Sequence, residues 1–130
     1  MRFIFKPLET GLDVQLYEMA RVGMMNEYEV YVHTDDPGRV PHFHIWDYST
    51  RGQKFHTCIR IDKPEYFHHT GKEALLNSKM KKELIKFLNS KSKNRRFDNN
   101  WELLVSMWNL NNSDEEIDEN QPIPDYSKLQ

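Results

Sequence analysis

Two short pairs of residues restrict this chain more than anything else in it: His42-x-His44, and a dozen residues later His56-x-Cys58. In an extended strand, residues i and i+2 project to the same side. Each pair therefore presents both of its donors on one face. Between them Ser49-Thr50-Arg51-Gly52 reads as a hairpin turn. A hairpin closed there sets His44 opposite Cys58 and Trp46 opposite His56, at directly facing positions of an antiparallel pair. All six histidines and the only cysteine fall between residues 33 and 69.

The alternation extends to neighbouring segments. In 41–47, Phe43 and Ile45 are core-like, which leaves His42, His44 and Trp46 on the other side. In 54–61, Phe55, Thr57, Ile59 and Ile61 oppose Lys54, His56, Cys58 and Arg60. In Tyr28–His33 the apolar set is Tyr28, Val30 and Val32, so Glu29, Tyr31 and His33 share the second face. His33, His42, His44, His56 and Cys58 are thus expected on one non-core face. Tetrahedral zinc takes four nitrogen or sulfur ligands in a structural site, and thiolate with imidazole favours zinc over calcium or magnesium. The candidate ligands are His42, His44 and Cys58, with the fourth from among His56, His68 and His69. The plain alternative is a row of solvated histidines on a sheet, with Cys58 a small buried hydrophobe.

Around these strands the pattern predicts an α+β fold: a mainly antiparallel sheet with two later helices packed on one face. Residues 2–6 and 11–16 read as strands, and Tyr17–Gly23 is compatible with either strand or helix. Leu76, Met80, Leu84, Phe87 and Leu88 form one helical stripe within 73–90, with Asn77 or Ser78 as a cap. Residues 101–110 form a second helix that buries Leu103, Leu104, Met107 and Trp108. The division expected is a single metal-binding domain over 1–112, followed by an acidic tail over 113–130 that hugs the surface or is mobile.

Composition narrows the class. With 130 residues, 38% hydrophobic and 29% charged, the chain is one polar domain, and seven Phe, six Tyr and three Trp are enough for a core. No apolar run reaches membrane-span length, and the opening Met1–Lys6 is too short for a secretory signal. A single cysteine excludes an internal disulfide and suits a reducing, cytoplasmic setting. A net charge of −2 shows no global basic character, so direct nucleic-acid binding is not expected. The charge is unevenly placed, however. Residues 72–96 carry nine Lys or Arg against two Glu, whereas 112–130 carry six acids against one Lys. In the acidic stretch, Asp114, Glu115, Glu116, Asp118 and Glu119 are candidate contacts for a basic groove on another protein.

Catalytic readings find little in the chain. There is no cysteine-hydrolase signature around Cys58, no helical His-Glu-x-x-His and no glycine-rich phosphate loop. A metal-dependent hydrolase would need an open coordination position and a nearby carboxylate. Asp47, Asp62 and Glu65 are the acids at hand, so a hydrolase or a toxin- or antitoxin-like module is the alternative to a non-enzymatic protein.

Pro41-His42-Phe43-His44-Ile45, Cys58-Ile59-Arg60-Ile61, Glu65-Tyr66-Phe67-His68-His69, Asn100-Trp101-Glu102-Leu103, Trp108-Asn109 and Pro124-Asp125-Tyr126 resemble small phage and prophage proteins of low-GC bacteria. The resemblance spans most of the chain from Tyr28 onward. A looser similarity is to a bacterial domain that carries Pro-His-Phe-His and a late Asn-Trp. The resemblance implies prophage cargo of the anti-CRISPR kind, which includes zinc-containing inhibitors of the type II CRISPR effector nuclease. Those act by binding a host protein rather than by chemistry. It carries metal-ligand candidacy onto His42 and His44 and does not choose among Cys58, His56, His68 and His69.

Overall fold

Val30 and Val32, Phe43 and Ile45, and Thr57 and Ile59 alternate with polar or aromatic neighbours along three successive strands, and all six are buried. They form the helix-facing side of the sheet. The computed structural model describes residues 2–7, 14–33, 40–67 and 74–130, with the backbone alone for 2–7 and 14–18. Five strands, β1 (Arg2–Pro7), β2 (Val14–Met25), β3 (Tyr28–His33), β4 (His42–Asp47) and β5 (His56–Arg60), precede two helices, α1 (Ser78–Asn89) and α2 (Asn100–Asn111). The strands lie in sequence order in one sheet and every neighbouring pair is antiparallel. The expected α+β architecture is the one formed.

Both helices start where a side chain satisfies an orphan N–H group. Asn77 Oδ1 accepts from Met80 N–H at 2.9 Å, and Asn99 Oδ1 from Glu102 N–H at 2.8 Å. The first helix therefore begins at Ser78, inside the longer 73–90 stripe, because the cap stops it there. Leu84 and Leu88 from α1 and Leu104 and Trp108 from α2 are wholly buried against Val30, Phe43 and Ile59. Each such side chain contributes about 1.5–3 kcal/mol of burial.

Tyr17–Gly23, open to either reading in the sequence, is strand. The register of β2 against β3 shifts between Arg21 and Gly23. This bulge keeps Val22 and Met25 in the core although their spacing is odd.

Residues 113–130, set apart in the sequence as an acidic tail, run back along α2 and enter the core. Trp101 Nε1–H donates to Gln121 O at 2.7 Å and Trp108 Nε1–H to Glu115 O at 2.8 Å. Asn109 and Ile117 exchange two hydrogen bonds of 2.8 Å. Tyr126 is fully buried and its hydroxyl donates to Arg60 O at 2.6 Å. Burial raises the Tyr126 phenol well above its ordinary pKa, with Asp62 adding to the effect.

Candidate metal centre

β4 and β5 pair in the register that the turn implies: His44 faces Cys58 and Trp46 faces His56. The turn itself is built around Asp47. Its carboxylate accepts from Thr50 N–H (3.0 Å), Phe55 N–H (3.0 Å) and Lys54 N–H (3.2 Å), and from the Thr50 hydroxyl. The Thr50 hydroxyl first, and then these N–H groups, hold the Asp47 carboxyl far below the usual carboxylate range. Gly52 takes φ +88°, and a Cβ there would lie 2.8 Å from Trp46 Cε3. Glycine is what lets the turn close over the indole.

On the face opposite Phe43, Ile45 and Thr57, His44, His56 and Cys58 converge. His44 Nδ1 lies 2.9 Å from His56 Nε2 and 3.2 Å from Cys58 Sγ, and His56 Nε2 lies 3.9 Å from Cys58 Sγ. Zinc bonds of about 2.0–2.3 Å in a tetrahedron set donors roughly 3.3–3.6 Å apart. Shifts of a few tenths of an ångström bring this triangle to that size. His44 and Cys58 are buried and His56 is half-buried. Two nitrogens and one sulfur make a donor set suited to a borderline-soft ion.

The rings pack as a layer around the donors. Tyr31 stacks on His44 with centroids 4.9 Å apart, and His44 on His56 at 5.2 Å. Trp46 lies 4.7 Å from Tyr31 and 6.2 Å from His56. Burial lifts the Tyr31 phenol well above its ordinary pKa, and its neighbours Cys58 and Glu29 add to the effect. Glu29, also fully buried, accepts from Trp46 Nε1–H at 2.8 Å and pairs with Arg21 Nε at 2.9 Å. The indole is thereby fixed beside His56.

This second face is not the solvated surface that alternation suggests, because Glu29, Tyr31, His42, His44 and Cys58 are all buried. Alternation identifies which side chains share a face. It does not reveal that rings and a thiol fill this one densely enough to exclude water. Glu29 and Tyr31 appear in the sequence only as face-mates of His33. Their supporting contacts follow from the β3–β4 register, in which Tyr31 faces His44 and Glu29 faces Trp46.

The other expected donors fall differently. His42 stands beside the three-donor group, with its ring 5.0 Å from that of His44. Its Nδ1 lies 2.6 Å from Val40 O, and its ring packs 4.6 Å from Phe67 and 5.4 Å from Trp108. His33 reaches to 4.6 Å from the His44 ring. His68 and His69 lie outside the described residues. Their flanks are anchored on the strand that carries the thiol: Phe67 N–H donates to Cys58 O and Ala74 N–H to His56 O, both at 2.8 Å. Among the described residues no helix is long and apolar enough to cross a membrane. Comparison with protein-family models, with curated proteins and with solved structures finds no match to this chain.

Proposed function

We propose that this chain is a zinc-binding protein in which His44, His56 and Cys58 supply three of the four ligands of a structural ion. One observation carries the reading: three ligand atoms from two adjacent strands lie within 4.8 Å of one another in a largely buried layer of aromatic rings. A structural role suits the surroundings. Glu29, the buried carboxylate of this face, is engaged by Trp46 and Arg21 rather than turned toward the donors. A hydrolytic zinc centre needs a carboxylate base close to an open ligand position. The ion would clamp β4 to β5 and supply stability that a small core lacks.

The test is elemental analysis of the purified chain, with the Cys58→Ser and His44→Ala variants alongside. One zinc per chain that is lost in both variants supports the reading. Replacement of the ion by cobalt adds a spectroscopic count of thiolate and imidazole ligands. A wild-type chain that retains no divalent metal at neutral pH rejects it.

At the level of biological role we infer a non-enzymatic inhibitor, encoded by phage or prophage, that binds a host nucleic-acid-handling protein. The best candidate for that host protein is a type II CRISPR effector nuclease. This inference is supported by the sequence resemblance alone. Co-elution with the effector and loss of target cleavage are the expected results, and full cleavage with no complex rejects the inference.

A further inference from the structure

Two stretches of opposite charge, the basic 91–96 loop and the acidic 114–119 segment, flank α2. A groove of about 450 Å³ runs between α2 and the 116–120 turn. Phe97, Val105 and Leu110 supply its apolar lining and Glu102, Glu116 and Glu119 its charge, and no Lys or Arg is among the lining residues. Leu110 is 75% exposed, an apolar side chain that the fold leaves at the surface. Glu102 Oε2 accepts from Asp98 N–H at 3.0 Å, which holds that carboxylate next to the loop leading into α2. That loop carries the opposite charge. Lys91, Lys93, Arg95 and Arg96 are all exposed, and Arg96 directly precedes the groove residue Phe97.

A surface with a cationic lobe beside an anionic groove is complementary to itself about a two-fold axis, because each lobe meets its opposite on the second copy. We propose that the occupant of this groove is a second copy of this chain. Arg95 and Arg96 of each protomer enter the glutamate-lined groove of the other. Guanidinium–carboxylate pairs give geometric specificity, and the arginine methylene stems cover Leu110. Charge complementarity selects this occupant: the groove needs a cationic segment, and the chain exposes one at its rim. The proposal stands apart from the metal reading, since none of these residues lies among the donors.

Sedimentation equilibrium of the full chain tests the pairing, at low and high protein concentration and in about 50 mM and about 500 mM salt, a range over which screening shortens severalfold in reach. The expected result is a concentration-dependent dimer that weakens at least about tenfold in the higher salt, as attraction between exposed charges does. R95E/R96E and E116K/E119K, both confined to exposed positions, each yield a monomer with an unchanged circular dichroism spectrum. An equimolar mixture of the two regains the dimer, because both lobes are then matched again. A wild-type chain that stays monomeric at every concentration in low salt overturns the proposal. A dimer indifferent to both reversals overturns it as well. So does a monomer that binds a hexa-arginine peptide through Glu116 and Glu119, which would give the groove to a different basic partner.

Discussion

Cys58 and Thr57 sit side by side on β5 and face opposite ways, and their side chains have opposite consequences. Cys58 faces His44 and His56, and removing its sulfur takes away the donor that distinguishes this site from a patch of imidazoles. Cys58→Ser is expected to release the ion during gel filtration, as read by elemental analysis, while the sheet circular dichroism persists. Thr57 faces the core, where its Oγ1 is buried with no hydrogen-bond partner among the described residues. A buried hydroxyl without a partner costs about 1–3 kcal/mol. Thr57→Val, nearly the same shape, is expected to raise stability by about 1 kcal/mol in urea titration. Asp47 gives a pH signature. Its carboxyl pKa is depressed in the folded state by the Thr50 hydroxyl and the turn N–H groups. The stability it adds is therefore fully present above the unfolded value of about 3.9, and it is lost as pH falls below that value toward the depressed one. Asp47→Asn is expected to flatten the acid limb of the stability–pH curve below about pH 4.

The β4–β5 hairpin is the element from which the site is built, and it is also the part most legible in the sequence. Phe43 and Ile45 against Phe55, Thr57 and Ile59 leave one register that buries both apolar sets. That register fixes His44 opposite Cys58. The turn chemistry adds to it, since Arg51 and Gly52 both take positive φ and the glycine touches Trp46. Gly52→Ala is expected to cost about 1–3 kcal/mol in denaturant titration, the range for strained backbone, and to move the indole off His56, as a shifted tryptophan emission would show. β2 was less legible. Its twelve residues contain a bulge at Arg21–Gly23 that resets the alternation midway, so no single period runs through it. The burial of the donor face was not legible either, because a two-residue period assigns sides without saying what covers them.

Across the whole molecule, the final eighteen residues show how composition misleads. Their acids suggest a solvated tail, yet Ile117, Ile123, Tyr126 and Leu129, among and just beyond those acids, pack on the core. Spacing too irregular for a helix or strand hid this anchoring, and the indole N–H groups of Trp101 and Trp108 secure it. Tyr126→Ala is expected to destabilise the fold by about 3–5 kcal/mol, the range for loss of a buried aromatic side chain, with thermal unfolding as the measurement. Chelation is expected to lower the melting temperature of the wild type and to leave Cys58→Ser unchanged. Acid is expected to act in the same direction as chelation, since imidazole and thiolate must shed protons to bind a metal.

The hydrogen bonds along the outer rim of β5 have one more consequence. Arg60 N–H is taken by Glu65 O, Cys58 O by Phe67 N–H, and His56 O by Ala74 N–H. A sheet border with several of its main-chain groups already bonded is a poorer template for a foreign strand. Fibril seeding and strand-swapped polymers are therefore disfavoured on the side where the thiol lies, and dense solutions of this protein are expected to resist gelation along that border.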